Sequence, residues 1–164
     1  HPLRQGKGSM YEGGLRVPFI AVGPRIKPGS QSRVPVTGLD LFPTLAELAG
    51  YAKPLPKSLD GGSLTRLLRN QGQGAVQRSN SFLLFHQAVA RTAQTALIHG
   101  DYKLVKTWRG NRLELFDLSK SVEEDINLAE KLPGKTEELH GLMTGHLDNV
   151  GAETRKITTK KANQ

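Results

Sequence analysis

The sequence predicts a mixed α/β first part followed by an α+β part, in which a small four-stranded antiparallel sheet packs with a C-terminal helix. Three observations carry this reading. A short continuous apolar run at residues 17–22 is followed by a leucine stripe at helical spacing, Leu41, Leu45 and Leu48, flanked by Phe42 and Ala49. From Ser81 the period changes, and runs at 82–85, 95–99, 102–108 and 113–116 have the length and alternation of strands. Behind Pro133, the series Leu139, Leu142, Met143, His146, Leu147 and Val150 follows the spacing of one helix face.

Composition sets the outer bounds. The chain has 164 residues, enough for one domain with a real core or two small ones, with 37% hydrophobic and 5% aromatic residues. It has no cysteine, hence no disulfide, and no 18-residue apolar run that would span a membrane. Its beginning, His1-Pro2, reads as an excised or processed soluble segment. The net charge of +8 raises the question of an acidic partner. Residues 113–154 are acidic, however, and the cations Arg155, Lys156, Lys160 and Lys161 gather in a polar tail, 155–164, expected to be disordered. No aromatic side chains interleave with them, so no nucleic-acid role is expected.

Taken in order, the run 17–22 ends at Gly23-Pro24 and suits a buried strand, with Pro18 confined to its start. Pro28-Gly29 marks a turn. Thr37 with Asp40 forms a capping-box pattern opening a helix that Gly50 stops, and Pro43 is tolerable if the first turn begins near Asp40. Asp40 is read as a cap rather than a metal ligand. After a loop at 51–62, Ser63 caps a brief helix facing Leu64, Leu67 and Leu68 inward, and the polar stretch 70–79 reads as a connection between subdomains. Gly100-Asp101 is a two-residue hairpin turn with glycine first, as type II′ requires. Residues 119–128 read as an acidic turn and short helix packed through Val122, Ile126 and Leu128, with Glu123-Glu124-Asp125 solvated. If the final helix buries its aliphatic residues, Leu142→Ala is expected to cost on the order of 2–5 kcal/mol.

Independent catalytic chemistry is absent. The histidines, His1, His86, His99, His140 and His146, show no His-Glu-x-x-His spacing, and Gly-x-Ser-x-Gly does not occur. His86, after an apolar run, is either a pocket-rim residue or a structural histidine, and Trp108-Arg109 is either a recognition tip or an ordinary hairpin end. One stretch stands apart: Lys7 lies between Gly6 and Gly8, with Gly13-Gly14 close behind. Glycines let a backbone approach a ligand, so Lys7 either meets a compact anion such as sulfate or phosphate or is a solvated lysine on a glycine loop.

The blocks KGSMYEGGLRVPFIAVGP, TGLDLFPTLAELAG, HGDYKLVK and LELFDLSKSVEEDINLA, in this order, resemble the C-terminal part of a type I sulfatase of the arylsulfatase class, within the alkaline-phosphatase-like superfamily. The resemblance covers most of residues 6–130. It implies that Lys7 is a catalytic residue contacting the substrate sulfate and that Tyr11, Glu12, Gly13 and Gly14 shape its loop; Arg16, from its place at the strand entrance, is read as structural, for example paired with a carboxylate. His86, Trp108 and Arg109 are weaker substrate-binding candidates. It also implies calcium and a formylglycine in the parent enzyme. This chain provides neither, for it has no cysteine and no Ser-x-Pro-x-Arg motif, so no metal ligand is assigned and the chain by itself is expected to be inactive. On this resemblance residues 1–75 are the closing elements of a large α/β catalytic domain, and 76–154 are a C-terminal antiparallel-sheet subdomain with a helix. A sulfate ester, possibly on a sulfated carbohydrate, is the implied substrate, and a periplasmic or secreted location the implied compartment. The apolar 17–22 run and the leucine stripe would then lack their partners and favour self-association. Two alternatives remain open: a phosphonate or phosphodiester hydrolase or phosphoethanolamine transferase of the same superfamily, and a non-catalytic polyanion-binding module.

Overall fold

The computed structural model describes residues 2–88 and 93–154; the tail at 155–164 lies outside the described residues. In chain order the elements are α1 (Glu12–Leu15), a 3-10 turn (Gly38–Asp40), α2 (Leu41–Leu48), α3 (Thr65–Arg69), β1 (Leu83–Gln87), β2 (Gln94–His99), β3 (Tyr102–Thr107), β4 (Arg112–Asp117) and α4 (Pro133–Asn149). They fall into two compact units, one formed by His1–Val17 with Phe82–Gln164 and the other by Pro18–Ser81. The sequence had grouped residues 1–75 together. In the structure the first 17 residues belong with the sheet instead.

The sheet is an antiparallel meander in the order β1-β2-β3-β4, as the alternation predicts. His99 pairs with Tyr102 across Gly100-Asp101, and Gly100 has φ +59°, the left-handed conformation that the first position of this turn demands. Both faces are covered. On one, Leu97, Leu104, Leu115 and Trp108 pack against Leu139, Met143 and Leu147 of α4, which recur every fourth residue. On the other, Ala96, Val105 and Phe116 pack against Met10 and Tyr11. A sheet with apolar residues on both faces needs two covers, and only one helix follows it in the chain. The N-terminal segment supplies the second.

Two expectations for this unit need correction. Leu142 is 36% exposed and Val150 more so, because the burying face of α4 is a single i, i+4 row rather than the wider stripe. No helix forms at 119–128. Glu124 takes φ +55°, which a helix cannot continue through, Ile126 is exposed, and Asn127 Oδ1 accepts the Leu115 and Ala129 amides.

In the other unit Asp40 is the hub. Fully buried, its carboxylate accepts the Thr37 amide (2.7 Å), the Gly62 amide (2.9 Å) and Arg78 through Nε (2.8 Å) and Nη2 (2.7 Å). Burial alone would raise its pKa, but Arg78 and the two amides hold it below the usual value. Pro43 sits in the first turn of α2, where its missing N–H costs nothing. Residues 70–79 pack inside this unit rather than linking two: a Cβ on Gly62 would meet Gln77 O at 2.0 Å, and one on Gly72 would meet Gln31 O at 2.3 Å. The predicted strand at 17–22 does not form. Val17, Phe19, Ile20 and Val22 are exposed, as are Leu41, Phe42, Leu45 and Leu48 of α2, whose buried residues are Pro43 and Thr44. A strand exists only when a neighbour takes its backbone hydrogen bonds, and none of the described residues does so here.

Candidate functional site

Lys7 stands on a tight loop whose shape follows from its glycines. The Ser9 amide and hydroxyl both donate to Gly6 O (3.2 and 3.0 Å), and Gly8 has φ +89°. The Gly13 amide donates to Arg4 O (3.0 Å) and closes the loop at its base. A Cβ on Gly13 would lie 2.3 Å from Gln5 O, and one on Gly14 would lie 2.2 Å from Ser9 O. Both positions require glycine by close approach. Lys7 is exposed, and its ammonium makes no hydrogen bond or ion pair with any described residue.

The neighbouring charges are all engaged. Tyr11, fully buried, donates its hydroxyl to Glu114 in a short hydrogen bond; burial first, then Glu114, pushes its pKa up to about 12, so it remains a donor. Arg4 stacks 4.1 Å over the Tyr11 ring and pairs with Glu114 at 3.0 Å. Glu12 pairs with Arg16 (2.7 Å), the structural role expected of that arginine, and with Lys103 (2.8 Å), which is fully buried and also lies 2.8 Å from Glu124. Burial alone would raise the pKa of Glu12, but Lys103 and Arg16 bring it below the ordinary value. For Glu124 burial wins over Lys103 and the pKa is raised. Tyr11, Glu12, Gly13 and Gly14 thus shape and anchor the loop. Sequence reasoning missed Lys103, Glu114 and Glu124. The available signal was that Lys103 and Glu114 share a face with apolar Val105 and Phe116, too many hydrophobes for a wet surface.

The other candidates lie elsewhere. His86 and Trp108 sit on the α4 face, 6.1 Å apart edge to face. Trp108 Nε1 donates to Thr95 Oγ1 (2.9 Å), which also shares a hydrogen bond with His86 Nδ1 (2.8 Å). Trp108 is 8% exposed, so the expected recognition tip reduces to Arg109, which is exposed. Lys106 Nζ lies 4.8 Å over the Trp108 ring and 2.8 Å from His140 Nε2. Burial lowers the pKa of His86, Lys106 and His140 alike. Strand alternation puts this cluster and the anchor of the Lys7 loop on opposite faces of the sheet, so the structure does not join them into one site.

Among the described residues no group of three or more His, Cys, Asp or Glu could hold a metal ion. The buried carboxylates are taken by cations, Asp40 by Arg78 and both Glu12 and Glu124 by Lys103. With no cysteine and no Ser-x-Pro-x-Arg motif in the chain, these residues fit neither calcium nor a formylglycine.

A family model for the C-terminal region of N-sulphoglucosamine sulphohydrolase matches residues 5–152. The chain belongs to this sulfatase family. It is 35% identical to arylsulfatase K of Xenopus laevis over 141 residues, 81% of this chain and 26% of that protein. A putative sulfatase of Bacteroides thetaiotaomicron superposes with TM-score 0.68 at 29% identity, over 92% of this chain and 33% of that one. A 2-O GAG sulfatase superposes with TM-score 0.66 at 29% identity, over 92% and 34%. The chain spans about a quarter of the length of the curated sulfatases it matches, and corresponds to the C-terminal part of the family. Among the described residues no helix is long and apolar enough to cross a membrane.

Proposed function

We propose that this chain is the C-terminal part of a sulfatase that hydrolyses sulfate esters, and that Lys7 supplies one contact to the substrate sulfate. One observation carries this: around the loop Arg4, Arg16, Lys103 and Arg112 all face carboxylates, while the Lys7 ammonium has no partner among the described residues and projects from a loop closed by backbone contacts at Gly13 and Gly14. An ammonium so placed stabilises charge developing on a transferring sulfuryl group and cannot itself attack it. Formylglycine and calcium, when present, supply the nucleophile and polarise the sulfate; other residues than these would hold them, and the chain alone is inactive. The likeness to a GAG sulfatase supports a sulfated carbohydrate as substrate, and the family resemblance an exported enzyme, periplasmic or secreted. We further infer that the unit at residues 18–81 ends a larger catalytic domain and that the exposed side chains at 17–22 and on α2 lie against its remainder, so that the isolated chain self-associates. His86 and Trp108, whose Nδ1 and Nε1 both bond Thr95 Oγ1, act in the fold, while Arg109 is free to reach a substrate.

In the full-length protein, Lys7→Ala is expected to lower kcat/KM for a sulfate ester by about a hundredfold, the scale of losing one preorganised charge contact. Hydrolysis at the unaltered rate would remove Lys7 from the site.

A further inference from the structure

We propose that Lys103 and Glu124 are positioning residues for Lys7, an inference that rests on the reading of Lys7 as the sulfate contact. The lysine side chain has a flexible four-carbon stem, so only the placement of its backbone can aim it. That backbone belongs to the loop closed by the Gly13–Arg4 hydrogen bond, and both sides of the closure are gripped from the sheet unit. On one side Arg4 Nη1 donates to Glu124 O (3.0 Å) and Nη2 to Glu114 Oε1 (3.0 Å). On the other, the Glu12 amide donates to Glu124 Oε2 (2.6 Å), and the Glu12 carboxylate accepts Lys103 Nζ (2.8 Å). Lys103 closes the set through Glu124 Oε1 at 2.8 Å. A single buried ammonium therefore couples a strand of the sheet, the turn after β4 and the stem of the Lys7 loop. From Glu12 back to Lys7 the chain passes through Tyr11, Met10 and Ser9, all buried, and then exposed Gly8, and Ser9 ties to Gly6 O by its amide and hydroxyl, so displacement of the stem reaches Lys7 through this closed turn.

Stability alone does not account for such a cluster. Buried ion pairs are weak net contributors, and an apolar group of equal volume would serve packing as well. What the clamp fixes is one register of the loop, since Glu124 grips both stem sides at once.

The test uses the full-length protein, 4-nitrophenyl sulfate as substrate, and hydrogen exchange of the Ser9 and Gly13 amides, which close the loop. Glu124→Ala removes the acceptor of the Glu12 amide and one partner of Lys103. It is expected to speed exchange at Ser9 and Gly13 about tenfold relative to β2 and β3, and to lower kcat/KM about tenfold, as a small misplacement does. In a Lys7→Ala background the same substitution is expected to cost less than about twofold more, because its effect passes through Lys7. Glu124→Gln, which keeps an acceptor for the Glu12 amide, is expected to restore slow exchange and most of the activity. If Glu124→Ala does not fold, Arg4→Ala, at a side chain 32% exposed, loosens the other stem side with the same expectations. Unchanged exchange at Ser9 and Gly13, or losses that add fully to that of Lys7→Ala, would overturn the proposal. Should Lys7→Ala turn over as fast as the unaltered protein, or should neither turn over, the sulfate-contact reading fails, and the exchange result still decides whether the clamp holds the loop.

Discussion

At the scale of single residues the glycines separate into those the structure requires and those it tolerates. An alanine at position 14 would drive its methyl to 2.2 Å from the Ser9 carbonyl, so the loop must open to admit it. Gly141, in the interior of α4, has nothing within 4 Å of a built Cβ and no left-handed φ. Gly14→Ala is expected to destabilise the sheet unit by about 1–3 kcal/mol. Gly141→Ala is expected to stabilise it by about 0.5–1 kcal/mol, because alanine gives up less entropy on becoming helical. Urea unfolding of the two variants measures both. The need for Gly13 and Gly14 was legible from the motif, and so was the pairing of Arg16 with a carboxylate. The buried role of Glu124 was not, because a Glu-Glu-Asp run reads as solvated and no local pattern announces that one member turns inward to a lysine 21 positions away.

At the scale of elements, periodicity told which segments are helical and which extended more faithfully than it told what they touch. The four strands, their turn at Gly100-Asp101 and the final helix were all legible, since each is specified by its own residues. Which row of α4 is buried depends on the sheet beneath it. Leu139→Ala, at a fully buried position, is therefore expected to cost about 2–5 kcal/mol, and Leu142→Ala, at one 36% exposed, under about 1.5 kcal/mol. Thermal unfolding of the pair tests the assignment, and equal losses would refute it. Helix α2 formed where Thr37, Asp40 and Gly50 placed it, yet its leucines are exposed. The run at 17–22 is strand-like in composition without being a strand. For those two elements the sequence specifies an apolar face whose partner is not among the described residues.

At the scale of the whole molecule the two units should respond differently to acid. Burial depresses His86 and His140, with Lys106 adding to the effect at His140, while a backbone hydrogen bond with Glu153 partly offsets it at His86. A histidine whose pKa is lower folded than unfolded stabilises the fold fully above its unfolded value near 6.5, and that contribution is lost as pH falls below it. Asp40, also depressed, keeps its contribution above the ordinary aspartate value of 3.8 and loses it only as pH falls through the lower folded value. Between pH 7 and 5 the two histidines are expected to lower the stability of the sheet unit, partly offset by Glu124, whose raised pKa acts in the opposite sense, while residues 18–81 hold theirs. Trp108, the sole tryptophan, lies in the sheet unit, so its fluorescence follows that loss selectively. His140→Gln is expected to flatten the dependence, and an unchanged slope would count against the assignment. The division that makes this possible also orders events during synthesis. Residues 4–16 leave the ribosome before the groups that grip them, Lys103, Glu114 and Glu124, which emerge about a hundred residues later. The nascent chain therefore carries Lys7 on an unset loop until the turn after the last strand arrives, a step that depends on long-range contacts, which form slowly.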